Sequence, residues 1–280
     1  MSALVARVRT AAWLGWQIES SWADPVLFFI YEVARPLAVA LILAVMFRAV
    51  RGAGVRDAAF AGFYVANAFH AYVNTVVVGT GWAVFEEREE FETLKYVYTS
   101  PMGLLTYLTG RSLVKFSLGT VSVALSLLLG WFALDVRWAW SAVHVVPLLA
   151  ALGLGIAATL FTAFVLAGFA LVLTRSAITL LDGATLGLYL LCGVIFPVDL
   201  LPRVLQWISL ALPFTWWYEA LRRFLLGHGA SAMLSRLSDA QLLAGLAVVT
   251  VSFALMSVGA FRACENRARQ LGLLDQTTLF

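Results

Sequence analysis

Long runs without formal charge constrain the fold of this chain more than any other feature of its sequence. One run, residues 58–85, contains twenty-eight residues with no Asp, Glu, Lys or Arg. A helix of about 20 apolar residues spans the ~30 Å hydrocarbon core of a bilayer, so this run predicts a transmembrane helix. Of the whole chain, 62% is hydrophobic and 12% is charged, against about 25% charged in an average soluble domain. The chain is therefore predicted to be an all-α integral membrane protein.

Six long apolar runs, four of them without any formal charge, predict six transmembrane helices in a single membrane domain, residues 1–280. The predicted spans are residues 26–47, 58–85, 116–134, 148–173, 177–196 and 240–261. An even number of spans places both termini on one side of the membrane. Ten Lys and Arg residues lie on that side and eight on the other, and basic residues are enriched in cytoplasmic loops. We therefore expect a multi-pass protein of the cell inner (plasma) membrane with cytoplasmic termini.

Two further apolar segments are not predicted to cross the membrane. Apolar residues recur at helical spacing near the start of the chain: Val5, Val8, Ala12 and Trp16. They predict an amphipathic helix, residues 4–22, lying in the membrane interface. Between the fifth and sixth spans, the charge-free run 204–218 has only fifteen residues, too few to span. It predicts one or two helices that dip into the outer leaflet and return.

A charged island, residues 85–115, separates the second and third spans. Its first part, EEREEFETLK, carries five Glu against one Arg and one Lys. On a helix, Phe91, Leu94 and Tyr98 share one face, which leaves the carboxylates on the rest of the circumference. The pair Ser100–Pro101 is a typical start of a new helix, because proline's missing donor costs nothing there. The island predicts two short helices at the membrane surface, where a soluble partner could act. The alternative is a solvated loop with a few helical turns.

Ionisable and polar side chains inside the predicted spans are candidates for function, because such groups are costly in lipid. Glu32 and Arg35 lie at i, i+3 and can pair with each other. His70 and Asn74 lie at i, i+4, and Asp182 lies near the start of the fifth span. The alternatives are that the first pair extends to the membrane surface and that the second pair forms hydrogen bonds between helices.

Several function classes lack their sequence motifs. There is no G-x-x-x-x-G-K-[ST] phosphate loop, no H-E-x-x-H and no G-x-S-x-G, so neither ATP hydrolysis by that route nor a catalytic site is predicted. The two cysteines have no metal-type spacing, and no metal or other cofactor is expected on this chain. A net charge of +3 without a dense basic cluster argues against nucleic acid. A membrane enzyme using Asp182 and Glu219 stays an alternative.

Three stretches resemble the type-2 ABC exporter (ABC-2) permease family. EEREEFETLKYVYTSPMGLLTYLTGRSLVK resembles the family's Glu-rich stretch, in which an acidic helix precedes a small residue and a proline. LCGVIFPVDLLPRVLQWISLALPFTWWYEALRRFLLG is similar to its G-x-x-F-P, L-P, P-[FL]-T and E-A-[LI]-R sequence. FRACENRARQLGLL resembles its closing F…A-R…G stretch. Together they cover roughly a third of the chain, and the second is the most specific.

The resemblance implies a dimer of two identical six-span subunits in contact with membrane lipid. Two copies of a cytoplasmic ABC ATPase would power it, and the ATP and Mg²⁺ would be on that partner. The stretch between spans two and three becomes the coupling helix within a coupling region, residues 86–112. The segment 198–227 becomes the re-entrant outer gate, and the helix at 4–22 lies at the inner interface.

The resemblance also assigns residues to these roles. The residues expected to couple to the ATPase are Glu86, Glu87, Arg88, Glu89, Glu90, Phe91, Leu94, Tyr98, Ser100 and Pro101. Those expected in the outer gate are Phe196, Pro197, Pro202, Pro213, Trp216, Trp217, Glu219 and Arg222. The candidates for the translocation path are Glu32, Arg35, His70, Asn74 and Asp182.

Two departures from the family pattern bear on this assignment. The family has Glu-Arg-x-x-Gly-Thr in the island, whereas this chain has Phe91 and Glu92 where the glycine is expected. The first span does not match that of the polysaccharide-exporting branch, so a hydrophobic, drug-like or lipid-linked substrate is favoured, with polysaccharide or glycolipid as the alternative.

The mechanism that follows is a hypothesis about charge and rigid connection. The ATPase would present Lys or Arg to Glu86, Glu89 and Glu90, and the island would transmit its closure into the spans. The substrate would move along spans one, two and five and leave past the re-entrant helices. The competing class is a secondary transporter or channel without an ATPase, in which Glu32, Arg35 and Asp182 handle ions or protons.

Overall fold

A computed structural model describes residues 2–21, 24–51, 58–134, 136 and 143–274. Within these ranges every regular element is helical. The longer elements are α1 (Ser2–Ser21), α2 (Pro25–Arg51), α3 (Ala58–Tyr72), α4 (Gly79–Phe85), α5 (Leu94–Thr99), α6 (Leu104–Ala133), α7 (Val145–Val172), α8 (Ala177–Leu191), α9 (Arg203–Ala211), α10 (Pro213–Leu226) and α11 (Asp239–Gln270). Two π-helical segments, Val73–Val78 and Glu86–Glu90, and two short 3₁₀ turns, Val198–Leu200 and Leu234–Arg236, complete them.

The second predicted span is one helical path that contains both π-helical segments. Gly79 and Glu86, at two of the junctions, keep right-handed helical dihedral angles, so the path continues from residue 58 to residue 90. We call it helix 58–90. A π turn bonds i to i+5 and occurs frequently at functional sites. This path therefore reaches past the predicted end of the span and into the charged island.

Four described helices are long and apolar enough to cross a membrane: Val26–Ala49, Leu104–Ala133, Val145–Val172 and Asp239–Gln270. The third predicted span begins earlier than expected, at Leu104 instead of residue 116, because Arg111 and Lys115 pair with carboxylates and remain inside the helix. The fifth is shorter than expected and ends at Leu191, since Gly193 takes a left-handed φ of 74°.

The helices run between two ends that their contacts define. At one end, Arg222 of α10 donates from Nε to the carbonyl of Gly62, with N and O 2.9 Å apart. At the other end of the same helical path, Arg111 of α6 pairs with Glu86 and Glu87. At a helical rise of about 1.5 Å per residue, Gly62 and Glu86 lie about 36 Å apart along this path. We call these the α10 end and the island end.

The island end also holds α1 and the end of α11. Ala11 and Gly15 of α1 lie against Gly110 and Arg111 of α6, and the guanidinium of Arg269 in α11 lies 4.7 Å from the centre of a tyrosine ring in α5. The start of the described chain, the island and the end of α11 therefore share one end of the bundle. Ala11 and Gly15 lie on the face of α1 that packs against α6. Residue 22, the last residue of the predicted interfacial helix, lies outside the described ranges.

Close helix packing at the α10 end depends on small residues. Trp217 of α10 is fully buried, and a Cβ added to Gly155 of α7 would lie 2.0 Å from its indole ring. α7 therefore approaches the Trp217 side chain of α10 so closely at Gly155 that only glycine fits there, as at many helix contacts in membranes. Gly153, on the same helix, has no atom within 4 Å of such a Cβ.

We expect Gly155→Ala to lower the free energy of unfolding by about 1–3 kcal/mol, because the added methyl group overpacks the site of Trp217. Gly153→Ala is the matched control and should leave stability unchanged or raise it by up to about 1 kcal/mol, since alanine favours the helix. Thermal unfolding of the purified protein in detergent measures both. Equal effects of the two substitutions would contradict the packing described.

Candidate functional site

Arg111 is the centre of a buried ionic cluster at the island end. Its Nη2 lies 2.7 Å from Glu86 Oε2 and 3.1 Å from Glu19 Oε1, and its Nη1 lies 3.1 Å from Glu87 Oε1. Glu19 belongs to α1, and the other two carboxylates belong to helix 58–90. One guanidinium therefore connects three helices, and it is fully shielded from solvent.

Further groups complete this cluster. Lys115 Nζ lies 2.6 Å from Glu19 Oε1, and the hydroxyl groups of Tyr107 and Thr93 donate hydrogen bonds to Glu87. Burial raises the pKa of Glu86 above its ordinary value, against the attraction of Arg111 and Lys115 that lowers it. Removing one member of such a buried set leaves the others charged and unpaired, at a cost of about 3–5 kcal/mol.

Arg88 connects the island to a fourth helix. Its side chain is buried, its Nε lies 2.8 Å from Glu89 Oε1, and its Nη1 and Nη2 donate to the carbonyls of Ala170 and Thr174 at 2.9 and 3.3 Å. Those carbonyls lie at the end of α7, where the last turn of a helix lacks backbone partners and favours a cation. The second π-helical segment is thus attached to α1, α6 and α7.

The acidic island therefore differs from the surface predicted for it. Glu87, Arg88 and Glu89 are buried and bonded inside the protein, whereas Glu90 and Phe91 are exposed. The prediction that the carboxylates of this stretch are exposed is therefore wrong for Glu87 and Glu89. Arg111 lies 24 residues after Glu87, on α6, and Arg88 donates to the carbonyl of Ala170 on α7, so the Glu-rich stretch alone does not reveal these contacts.

The single face predicted for Phe91, Leu94 and Tyr98 is also wrong. Leu94 is buried and Tyr98 is half-buried, but Phe91 is 47% exposed. Glu92 has a left-handed φ of 52° and ends the helical register between Phe91 and α5. Phe91 and Glu92 stand where the family pattern expects glycine, and glycine adopts the conformation of Glu92 without strain.

Ser100 and Pro101 do not start the next helix. The hydroxyl of Ser100 donates to the carbonyl of Val97 at 2.7 Å, at the end of α5, and Pro101 lies exposed in the turn that follows. Gly103, with φ of 74°, directly precedes α6. The predicted break in the chain is present, but a left-handed glycine and not the Ser-Pro pair begins the helix.

A cavity of about 490 Å³ lies between α2, helix 58–90, α6 and α8. It brings together Arg35, His70 and Asn74, three of the five candidates for the translocation path. Asp182 is exposed and is not among the lining residues. The side chain of Glu32 lies outside the described residues. The first π-helical segment places Asn74 on the cavity wall.

Two tyrosines hold the polar side of the cavity in place. The hydroxyl of Tyr189 donates to Asn67 Oδ1 at 2.7 Å, and the hydroxyl of Tyr218 lies 2.9 Å from His70 Nδ1. Sequence reasoning missed Tyr189 and Asn67. The available signal was a tyrosine inside an apolar run, since a buried phenol usually has a hydrogen-bond partner.

Arg222 and Glu219 form the centre of the α10 end. Arg222 donates to the carbonyls of Gly62, Gly193 and Val194, and its Nη1 lies 3.6 Å from Glu219 Oε2. Glu219 Oε1 accepts from the backbone N–H groups of residues 230 and 231 at 2.9 and 3.1 Å. Charged side chains beside a segment at the membrane surface are expected to face water, but Glu219 and Arg222 are only 2% and 3% exposed, respectively. They satisfy backbone groups of the turns around them.

The other residues predicted for the gate lie in the same segment. Pro213 is the first residue of α10, Pro202 directly precedes α9, and Pro197 precedes the first 3₁₀ turn. Trp216 donates from Nε1 to the carbonyl of residue 210 at 2.9 Å, and Phe196 is half-buried. The prolines begin short helices here, as expected of residues without a backbone donor.

Long apolar helices, several of them largely exposed along their length, define a multi-pass helical membrane protein. The sequence model of the ABC-2 type transporter family matches residues 9–226, from α1 to the end of α10. The chain therefore belongs to the ABC-2 type transporter family, as one of its permeases. The membrane component of this family does not itself carry ATPase motifs. No curated protein matches the chain in sequence.

Replacing Arg222 by Leu should lower the free energy of unfolding by about 3–5 kcal/mol, because Glu219 would remain buried without its cation. The adjacent Arg223, half-buried against Asp239, provides a matched control. Arg223→Leu should cost about 1 kcal/mol or less, as for a solvated pair. Chemical unfolding of the two variants distinguishes them, and a larger effect at Arg223 would contradict the burial described.

Proposed function

We propose that this chain is the transmembrane subunit of an ATP-driven exporter, which moves a hydrophobic, drug-like or lipid-linked substrate out of the cytoplasm. A separate ATPase would supply the energy and hold the ATP and Mg²⁺. The observation that carries this proposal is the island end, where Arg88 and Arg111 connect one short segment to three helices. A force applied to that segment would therefore be transmitted to α1, α6 and α7.

The proposed membrane layout has six spans: α2, helix 58–90, α6, α7, α8 and α11. The island end would face the cytoplasm, with α1 at the inner interface and both termini inside. Segment 198–227, with its prolines and buried aromatic residues, would be the re-entrant outer gate. The balance of basic residues between the two sides favours this orientation. The functional unit would contain two permease copies, most simply identical, and two ATPase copies.

The ATPase would contact the exposed part of the island and not its buried carboxylates. Glu90 and Phe91 are exposed, and so is Tyr96 of α5. Interface energy is concentrated in aromatic anchors of this kind, and acidic residues beside them favour a basic partner surface. Glu86, Glu87 and Glu89 would then transmit the movement inward through Arg111 and Arg88.

Helix 58–90 would carry that movement to the cavity. His70 lies sixteen residues from Glu86, or about 24 Å along the helix, and its imidazole contacts Tyr218 of α10. A displacement of the island end would therefore change the cavity and the proposed gate together. The substrate would pass along α2, helix 58–90 and α8, all of which line the cavity.

The docking surface is tested by Phe91→Ala combined with Glu90→Lys. Loss of an aromatic anchor costs about 2–4 kcal/mol, so co-purification of the ATPase with the permease should fall at least about tenfold. Phe132→Ala is the control, because Phe132 is 81% exposed but lies at the far end of α6. Undiminished co-purification of the double variant would exclude this surface as the docking site.

The role of the cluster is tested separately with Arg111→Gln in the assembled complex. Without the guanidinium, Glu86 and Glu87 lose their ion pairs with α6 and their connection through Arg111 to Glu19 of α1, so we expect transport per ATP hydrolysed to fall at least about tenfold while the ATPase still co-purifies. Arg203→Gln, an exposed arginine on α9, should change neither quantity. Transport that continues with no ATPase present would favour the secondary-transporter class instead.

A further inference from the structure

One face of α1 is left uncovered by the described chain. Val5, Arg9, Trp13 and Trp16 recur at i, i+4, i+8 and i+11, so they share one side of the helix. Trp13 and Trp16 are 60% and 45% exposed, although their rings are largely apolar. Ala11, on the opposite side, is buried against α6. We call the four residues the α1 stripe.

The cations of α1 have no partner within the described chain. Arg7 lies beside the α1 stripe and Arg9 lies on it. Both are exposed, and neither forms an ion pair with any described residue. α1 contains one acidic residue, Glu19, whose carboxylate is already paired with Arg111 and Lys115 of α6. Two positive charges and two large aromatic rings therefore remain available to another molecule.

The position of α1 in the chain favours lipid as that molecule over an acidic protein. α1 packs against α6 and ends at Ser21, and the apolar helix Val26–Ala49 begins only a few residues later. Both of these neighbours are long and apolar enough to cross a membrane. With such short connections, α1 stays close to the bilayer surface.

The residue types of the stripe suit that surface. Tryptophan is enriched at the level of the lipid headgroups, because its ring has an apolar body and a polar N–H group. Helices that combine exposed aromatic and basic residues bind membranes through apolar area and through attraction to anionic lipids. Each basic side chain near an anionic lipid surface adds to that attraction. A zwitterionic surface provides the apolar contact without the net charge.

We propose that α1 binds anionic phospholipid. Arg7 and Arg9 pair with the lipid phosphates, and Trp13 and Trp16 lie between the headgroups. The inference rests on the proposed layout, in which α1 lies at the inner interface, and it adds the class of lipid that this helix selects.

The bound lipid would also support the ionic cluster at the island end. Glu19 follows Arg9 by ten residues on the same helix, or about 15 Å, and pairs with Arg111 and Lys115. Lipid held at Arg7 and Arg9 therefore fixes the helix that supplies one of the three carboxylates around Arg111.

Lipid selectivity is measured on the purified full-length chain in a sterol-based detergent. Phosphatidylglycerol and phosphatidylcholine with the same acyl chains are added in equal amounts, and native mass spectrometry counts the lipids that stay bound. We expect phosphatidylglycerol to be favoured at least about tenfold, as for two basic side chains at an anionic surface. Equal retention of the two lipids would overturn the proposal. Displacement of phosphatidylglycerol by excess glycerol phosphate would do the same, since a soluble anion would then suffice.

Paired variants assign the preference to α1. Arg7→Gln combined with Arg9→Gln should lower it at least about fivefold, and the corresponding double change to Lys should retain it. Arg175→Gln combined with Arg267→Gln is the matched control, because both residues are exposed at the island end but lie outside α1. The control should keep the full preference. Equal losses in the two Gln pairs would overturn the proposal, because the net charge of the island end would then select the lipid.

The tryptophans are tested in vesicles with lipids brominated near the headgroup, which quench tryptophan fluorescence on contact. Brominated phosphatidylglycerol should quench the wild-type chain more strongly than brominated phosphatidylcholine. Trp13→Phe combined with Trp16→Phe should abolish that difference. A difference that persists would place the anionic lipid elsewhere on the chain and overturn the assignment. If neither lipid quenches these tryptophans, the stripe does not face lipid, which would overturn the proposal and favour an acidic protein partner.

This inference and the proposed function can fail separately, because lipid binding to the isolated chain needs no ATPase. Absence of lipid selectivity would leave ATP-driven export standing. Transport without the ATPase would overturn the proposed function and leave the measured lipid preference unchanged.

Discussion

The pairing of Arg111 with three carboxylates is the interaction on which the island end depends. Five Glu residues within ten positions would repel one another on an isolated helix. Here Glu86 and Glu87 pair with the guanidinium of Arg111, and Arg88 pairs with Glu89 and donates to one carbonyl of α7 and one carbonyl just after it. The like charges are thereby compensated from neighbouring helices, and a segment of high local charge becomes part of the interior.

A buried arginine stabilises each of the two ends of helix 58–90. At each end a buried arginine satisfies groups that the chain leaves without partners, carboxylates around Arg111 and backbone carbonyls around Arg222. The planar, permanently charged guanidinium suits such sites because it donates in several directions at once. Between these two ends lies the cavity lined by α2, helix 58–90, α6 and α8.

The sequence allowed the helical membrane class and the family to be predicted, because charge-free runs and local motifs need no knowledge of distant contacts. It also indicated His70, Asn74 and Arg35, which do line one cavity. It could not predict which charges are buried. From the sequence, Glu87 and Glu219 are predicted to be solvated carboxylates. In the structure they are buried, and their hydrogen-bond and ion-pair partners offset the desolvation cost. Helix ends were mispredicted for the same reason, since Arg111 and Lys115 were placed before a helix that in fact begins at Leu104 and contains both residues.

The π-helical segment Val73–Val78 sets the angular phase between the cavity and the island end. Each residue of an α-helix turns the chain by about 100°, and a π turn changes that increment. Side chains before the segment, such as His70, and after it, such as Glu87, therefore face their partners only with the present number of residues between them. The spacing along this helix therefore matters to the ionic cluster as much as the charges do, because a shorter or longer helix with the same residues would direct its carboxylates away from Arg111.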